Sequence, residues 1–506
     1  MTFQQLLDGA EVLSQTGDVG VRGLDYDSRR IKQGDVFIAI RGEVSDGNEY
    51  IDAALARGAV AIVTDSSRQR PRTGIAWAQV RDARRALGRL SANLFKRPAE
   101  KLSISGITGT NGKSTSAFLL ESMLRAAGRK TALVGTIEYH VGDKILPAPH
   151  TTPESLELNH LLRDALREGV TEVVMEVSSH ALVQQRVFAI PFDVAIFTNL
   201  TRDHLDYHQT IEGYFAAKQI LFVGDGTEAP RLAVLNVDDQ NGDKLRKVSE
   251  SRGSRVLTYG WSRGDFHAQN VRIAPRGTYL DMVSPEETIP VCSPLIGRVN
   301  VYNILAAAAA AYARGCHAKA LAEGIGKLAR VPGRFERVDC GQPFTLVVDY
   351  AHTEDALRNL TSLAREFVSH AGLAGRVITL FGCGGDRDRS KRPLMGEAAG
   401  GGSDFVVLTS DNPRTEDPGE IISQALVGLK PTGTPYVIEP DRRNAIALAV
   451  REAKSGDIVL LAGKGHEKVQ VSREGAMPFD DVSVARDTLA EAGYVGVARM
   501  EAERPS

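Results

Sequence analysis

One junction constrains this 506-residue chain more than any other: the strand-like run Leu102-Ser-Ile-Ser-Gly-Ile107 enters a glycine-rich turn, Gly106-Ile-Thr-Gly109-Thr-Asn-Gly112-Lys113-Ser114-Thr115, and continues as a helix-like stretch from Ser114 to Ala127. Strand, phosphate-type loop and helix in that order open a nucleotide-binding α/β unit. Glycines let backbone N–H groups close on phosphate oxygens, and the helix N-terminus adds partial positive charge. Lys113 is then placed to reach terminal phosphates and Ser114 to offer a hydroxyl to Mg²⁺. The spacing is not the strict GxxxxGK[ST], because Ile107 stands where the first glycine falls. Without its flanks the string would be an ordinary βα turn with a surface lysine; the strand before it and the helix after it favour the phosphate loop.

The same rhythm recurs along the chain. Glu172-Val-Val-Met175, Val194-Ala-Ile-Phe197 and Leu232-Ala-Val-Leu235 are apolar on both faces, which suits a parallel sheet covered by helices. After Arg330-Val-Pro-Gly-Arg334 it restarts with Phe344–Val348, Arg376–Phe381, Asp404–Leu408 and Asp457–Leu461. Ahead of the junction, the strand-like Asp35–Ile40 and Ala59–Val63 alternate with helical Ile51–Arg57 and Arg81–Leu94. At about 100–200 residues per domain the length predicts about three domains. The expectation is α/β throughout: a small N-terminal α/β domain (1–95), a central P-loop ATPase-type domain with a mostly parallel sheet (96–332) and a C-terminal Rossmann-like, doubly wound domain (333–506), with a frayed tail over Glu501–Ser506.

Composition narrows the function. Sixty-one Lys plus Arg against sixty-three Asp plus Glu leave a net charge of −2, so no global field recruits nucleic acid or an anionic membrane. The most apolar run, Ile304–Ala313, is half the roughly 20 residues of a bilayer span. Met1–Gly20 lacks the Lys or Arg that precedes the apolar core of a secretory signal. Four scattered cysteines without CxxC spacing argue against a metal knuckle or disulfide framework, and a reducing cytoplasm is the expected compartment. A monomer is expected, although nothing in the sequence fixes the oligomeric state.

Further stretches follow in order: Met175-Glu-Val-Ser-Ser-His180, Thr198-Asn-Leu-Thr-Arg-Asp-His-Leu-Asp-Tyr-His208, Gly297-Arg-Val-Asn-Val-Tyr-Asn303, Gly333-Arg-Phe-Glu336, Asp349-Tyr-Ala-His352, Gly384-Gly-Asp-Arg387, Asp411-Asn-Pro-Arg414 and Gly463-Lys-Gly-His-Glu467. Together with the phosphate loop they resemble the Mur ligase superfamily, ATP-dependent amino-acid-adding enzymes of peptidoglycan and hence cell-wall synthesis, over essentially the whole chain.

The resemblance implies ATP and Mg²⁺ as cofactors and an acyl-phosphate mechanism. It places ATP on Gly109, Thr110, Asn111, Gly112, Lys113, Ser114 and Thr115, with Asn303, Arg334 and Asp349 on the nucleoside side and His352 nearby. Catalytic and metal-holding roles fall on Lys113, Ser114, Glu176, His204 and Lys218, the last as an N6-carboxylysine (carbamate). Locally, Glu176 reads as a solvated strand-end carboxylate, His204 as a hydrogen-bonded structural histidine, and Lys218 as a helical lysine on a solvated face. By the same resemblance Ser28, the loop Arg41–Gly47, Thr151, Thr152, Ser178, Gln184 and Arg186 meet UDP-N-acetylmuramoyl-L-alanyl-D-glutamate. His150 stands where asparagine is expected, and Glu354 where proline is expected.

Arg387, Asp411, Asn412, Pro413, Arg414, Gly463 and Glu467 match the amino-acid pocket of relatives that add meso-2,6-diaminopimelate. Arg414 is the informative residue there. A distal carboxylate separates that diamino acid from lysine, and a guanidinium grips a carboxylate with two parallel N–H bonds. Glu467 is placed for the ammonium, and the charge-rich Asp386–Arg389 also reads as plain solvated surface. Two alternatives remain: a lysine-adding or another Mur-type or folylpolyglutamate-type ligase, and a non-catalytic nucleotide-binding protein on the same fold.

Overall fold

The computed structural model describes residues 1–42, 45–69, 72–274, 276–370 and 375–494. The tail Glu501–Ser506 and two residues of the 41–47 loop, Glu43 and Val44, lie outside the described residues. Three large sheets carry the chain, with a fourth, two-stranded one formed by Val469–Ser472 and Gly475–Pro478. The first has five strands in the spatial order Val12–Thr16, Ala76–Val80, Ala61–Thr64, Asp35–Ala39, Gly23–Asp25, parallel except for its first member. Helix Ala83–Leu94 covers it, capped by the Asp82 side chain on two backbone N–H groups. Leu87 and Leu90 enter the core formed by Val36, Ile38 and Val63.

The second sheet has eleven strands. Its centre runs Arg255–Gly260, Leu232–Asn236, Val194–Phe197, Ser103–Thr108, Glu172–Glu176, Thr131–Val134, all parallel. Helices Lys113–Ala126 and Arg298–Ala313 pack on one face, and Leu158, Leu162, Leu221 and Phe222 from Ser155–Arg167 and Ile211–Val223 on the other. The apolar run Ile304–Ala313 is therefore a core helix, its alanines allowing close approach to the neighbouring helix. Among the described residues no helix is long and apolar enough to cross a membrane, and all four cysteines are free.

The sequence reading misses the sheet's flanks, Glu138–Val141 and Lys144–Pro147 on one side and Phe266–Ala274, Gly277–Val283 and Thr288–Ser293 on the other. Thr288–Ser293 alternates exposed and buried at every residue. Half-solvated antiparallel strands lack the continuous apolar runs that reveal a buried parallel strand.

The third sheet orders Glu336–Val338, Thr345–Asp349, Ile458–Ala462, Val377–Phe381, Phe405–Leu408 and Tyr436–Ile438, parallel except for the first. Register aligns the carboxyl ends. Glu176 pairs with Ile107 and Phe197 with Thr108 in the second sheet, and Asp349 with Ala462 and Phe381 with Leu408 in the third. Ligand sites of open parallel sheets form outside such ends.

Candidate functional site

The carboxyl end of Ser103–Thr108 leads into the phosphate loop. Gly109 (φ +152°) passes so close to the next strand that a Cβ there would lie 1.8 Å from Thr198 Oγ1, and Gly112 (φ +86°) abuts Asn303. The loop is pinned from outside by Thr198 Oγ1 donating to the Asn111 carbonyl (2.7 Å) and by the Asn111 N–H donating to Asn199 Oδ1 (2.9 Å). Lys113 folds back, its Nζ donating to the Gly109 and Thr110 carbonyls at 2.9 Å each. Burial pulls its ammonium below the usual lysine range, opposed by the Glu176 carboxylate. A polyanion at this loop would offer the ammonium stronger acceptors than those carbonyls.

Glu176 is the last residue of its strand and fully buried, so the solvated alternative fails. Its carboxylate accepts from Ser114 Oγ (3.0 Å), the Thr136 N–H (2.9 Å) and Thr136 Oγ1 (3.0 Å). Hard oxygen donors of two elements thus meet beside the phosphate loop, a set that suits Mg²⁺. His204 follows Val194–Phe197 in the left-handed region (φ +55°), with Nε2 3.3 Å from Asp203 Oδ2. Desolvation draws its pKa below the usual histidine range, opposed by the Asp203 carboxylate, while its side chain keeps partial access to solvent. Among the described residues no three His, Cys, Asp or Glu side chains are grouped to hold a metal.

Lys218 overturns its local reading as a solvated lysine. It is 1 % exposed, with Nζ donating to the Gly109 carbonyl at 2.9 Å and lying 4.2 Å from the Tyr214 ring centre. Burial, then the neighbouring Lys113, holds its ammonium well below the usual lysine range. An isolated buried cation gives up its proton rather than its hydration.

Above the loop lies a cavity of about 530 Å³ whose lining includes Lys113, Glu176, His204, Asn303, Arg334 and Asp349. The Asp349 carboxylate accepts from the Phe335 (2.7 Å) and Ala351 (2.8 Å) N–H groups. Arg334 stacks on the Tyr350 ring at 4.5 Å and donates to Ser114 Oγ at 3.3 Å. The third sheet is therefore docked on the second, a contact extended by Asn111 Nδ2 to Asp355 Oδ2 (2.8 Å) and Arg202 Nη2 to Ser390 Oγ (2.9 Å).

The third sheet's carboxyl ends gather the other predicted set. Arg414 lies in the left-handed region (φ +52°) with Nη1 on the Gly385 carbonyl at 2.7 Å. Burial, and next the adjacent Arg387, draw its pKa below the usual guanidinium range. Gly384 lies against both Arg387 and Arg414 side chains, and Arg387 itself is exposed. Asn412 Nδ2 donates to Glu467 Oε2 (2.8 Å), Pro413 is buried, and a Cβ on Gly463 (φ +112°) would lie 3.1 Å from Asp411 Oδ2.

The residues expected to meet a sugar-peptide are only partly gathered. Thr151 pairs with Thr136 (3.1 Å), Thr152 Oγ1 donates to the Glu176 carbonyl (2.9 Å) and accepts from the Ser178 N–H (3.1 Å), and Arg186 reaches the Thr152 carbonyl (3.0 Å) and Gln184 Oε1 (2.6 Å). Ser28 is buried in the first unit and does not line the cavity. Sequence reasoning assigned no role to Thr136, Asp203, Arg392 or Lys464. Arg392 is fully buried, binding both Glu416 oxygens (2.8 and 3.0 Å) and the Gly384 carbonyl (3.1 Å), which fixes the turns bearing Arg387 and Arg414. No local pattern marks Arg392 as buried at the start of Lys391–Gly402, whereas Lys464 lies within the Gly463–Glu467 stretch.

Comparison with known proteins supplies the remaining findings. Three family models match: "Mur ligase family, catalytic domain" over residues 20–94, "Mur ligase middle domain" over 107–311 and "Mur ligase, glutamate ligase domain" over 333–465. The chain is similar to the UDP-N-acetylmuramoyl-L-alanyl-D-glutamate--2,6-diaminopimelate ligase of Solibacter usitatus, 52 % identical over 475 residues covering 94 % of each chain. Similarity to the enzyme of that name in Geobacter metallireducens is 46 %, over 91 % of this chain and 92 % of that one. A solved structure bearing the same name superposes with a TM-score of 0.66 at 34 % identity, covering 94 % of this chain and 96 % of that one.

Proposed function

The chain belongs to the Mur ligase family, and from that premise we propose that it joins meso-2,6-diaminopimelate to UDP-N-acetylmuramoyl-L-alanyl-D-glutamate, converting ATP to ADP and phosphate. The enzyme is an ATP-dependent ligase forming a C–N bond. In the proposed reaction the peptide carboxylate attacks the γ-phosphorus of ATP, ADP leaves, the amine attacks the acyl phosphate, and phosphate is expelled. Two anions must first be brought together, so the chain's task is to screen them.

Lys113 takes up the terminal phosphates in place of its own loop carbonyls. Asn303, Arg334 and Asp349 hold the nucleoside side. Mg²⁺, when bound, supplies positive charge between the anionic reactants, with Ser114, Glu176, His204 and a carbamylated Lys218 as the residues that would hold it. Low basicity in Lys218 favours the carbamate, because only the neutral amine adds to CO₂. Thr151, Thr152, Ser178, Gln184 and Arg186 take the sugar-peptide in the central unit, with Ser28 on its UDP end.

The observation that carries the choice of amino acid is the charge pattern at the third sheet's carboxyl ends, where Gly384 lies against both the Arg414 and Arg387 side chains and Arg414 lies within the field of the Glu467 carboxylate. A diamino acid with a distal carboxylate answers both charges; lysine brings no anion to the guanidiniums, which among the described residues otherwise hold only backbone carbonyls. ADP release by purified protein with Mg²⁺, bicarbonate, the UDP-dipeptide and a panel of amino acids tests this. Turnover is expected with meso-diaminopimelate, and equal turnover with lysine overturns the reading. Absence of any substrate-dependent ADP release would favour a non-catalytic nucleotide-binding protein.

A further inference from the structure

Lys464 has no exposed surface and lies at the turn after strand Ile458–Ala462. Its Nζ donates to Asn412 Oδ1 and Glu467 Oε2, each at 3.0 Å, and lies 3.5 Å from Asp411 Oδ1. An ammonium has three donors, and all three are directed at these acceptors. Asn412 is held further by the Val471 N–H on its Oδ1 (2.9 Å), while its Nδ2 donates to the same Glu467 oxygen as Lys464 (2.8 Å). The turn is braced from below by the buried Arg442, which pairs with Asp481 (2.6 Å) and donates to the Ala462 carbonyl (3.0 Å).

Charge counting makes this more than a strut. Asp411 and Glu467 set two carboxylates against one ammonium, a formal excess of one negative charge beside the cationic pair Arg414 and Arg387. Both of the donors that reach Glu467 use Oε2; among the described residues Oε1 accepts no hydrogen bond.

We propose that Lys464 is the positioning residue of the amino-acid pocket: it locks Asn412 and Glu467 into one rigid element, so that Glu467 presents Oε1 to the ammonium of the incoming amino acid. The inference rests on the reading of this pocket as the amino-acid site. Without the lysine, the Asp411 and Glu467 carboxylates lose the one cation that, among the described residues, is hydrogen-bonded to both. That leaves the Arg414 and Arg442 guanidiniums, which bond to neither, to offset their repulsion, and Glu467, which is only partly buried, relieves it by swinging to solvent.

The test is steady-state kinetics on Lys464→Met, Glu467→Gln and the double variant, with melting curves alongside. In Lys464→Met the KM for diaminopimelate is expected to rise at least about 10-fold, while the KM values for ATP and the UDP-dipeptide stay within about 2-fold. Residues acting through one group are non-additive, so the double variant should be no worse than Glu467→Gln alone by more than about 3-fold. If Lys464→Met does not fold, Lys464→Arg, which keeps the charge but not the compact shape, is expected to show the same selective rise. Unchanged diaminopimelate KM, a parallel rise in all three KM values, or multiplicative effects would overturn the inference. If the unmodified enzyme fails to use diaminopimelate, the reading of the pocket falls and this role falls with it. Turnover with unmoved kinetics in Lys464→Met sinks only the positioning role.

Discussion

Replacing Arg414 by alanine separates recognition of the amino acid from everything upstream of it. Residue 414 has φ +52° with its backbone N–H held on the Val471 carbonyl, and arginine and alanine both carry a Cβ there, so the substitution compares side chains at equal backbone strain. Arg414 Nη1 already holds the Gly385 carbonyl at 2.7 Å, which orients the guanidinium before a ligand arrives. A hydrogen bond to a charged group contributes about 1.5–3 kcal/mol, and a two-bond grip on a half-buried carboxylate about twice that. Arg387 remains beside the vacated space and recovers part of it, leaving a net loss of about 3 kcal/mol, or about 100-fold in kcat/KM. ADP-release kinetics should show this loss for diaminopimelate with the KM for ATP within about 2-fold. Arg414→Lys should fall between, since it keeps the charge and loses the fork. A parallel rise in the KM for ATP, or an unimpaired Arg414→Ala, would refute the assignment.

Lys218→Arg should lower kcat by about 100-fold or more while ADP binding, measured by calorimetry, persists, because a guanidinium stays charged and carries no carbamate; stripping bicarbonate from the unmodified enzyme should lower kcat in the same direction. Gly109→Ala should abolish nucleotide binding in the same titration, since its Cβ would lie 1.8 Å from Thr198 Oγ1 and the loop must open to accept it. Glu416 is held at a pKa of about 2, below its usual 4.5, by the Arg392 guanidinium. Its carboxylate therefore stabilises the fold fully above about pH 4.5 and loses that effect as pH falls towards about 2. Melting curves of the enzyme and Glu416→Gln should differ most near neutrality and converge over that acid range.

Strands buried on both faces, such as Val194–Phe197 and Val377–Phe381, are legible because a parallel sheet covered by helices demands continuous apolar runs. The hairpins at 138–147 and 266–293 are not, because alternation on a half-solvated strand also fits loops. The phosphate loop is legible because its chemistry is local: strand, glycines, lysine and helix lie within about 25 residues. Lys218 is the opposite case. Ile211–Val223 is apolar around most of its circumference, so its own pattern gives no face to assign, and only the approach of Gly109 and Tyr214 shows that the lysine points inward. Arg387, Arg414 and Glu467 are far apart in sequence and meet only because three parallel strands end level, a fact of register that no segment carries alone.

That register also explains how one chain runs a two-stage reaction. An acyl phosphate is lost to water unless the amine is already close, so activation and transfer must share one enclosed space. The second sheet supplies the phosphate loop, Glu176 and His204 from its carboxyl edge; the third supplies Asp349, Arg414 and Glu467 from its own. Arg334 bridges the two, donating to Ser114 at the phosphate loop while stacked on Tyr350 of the opposing edge. Neither edge contains both halves of the chemistry. Asn111 to Asp355 and Arg202 to Ser390 dock them by hydrogen bonds, and Ile296 packs with Leu360 and Leu363 in one buried apolar cluster across the same junction. A ligase built from two such edges keeps its intermediate between them: in the proposed reaction the activated carbonyl and the amine meet only where the docked edges face each other.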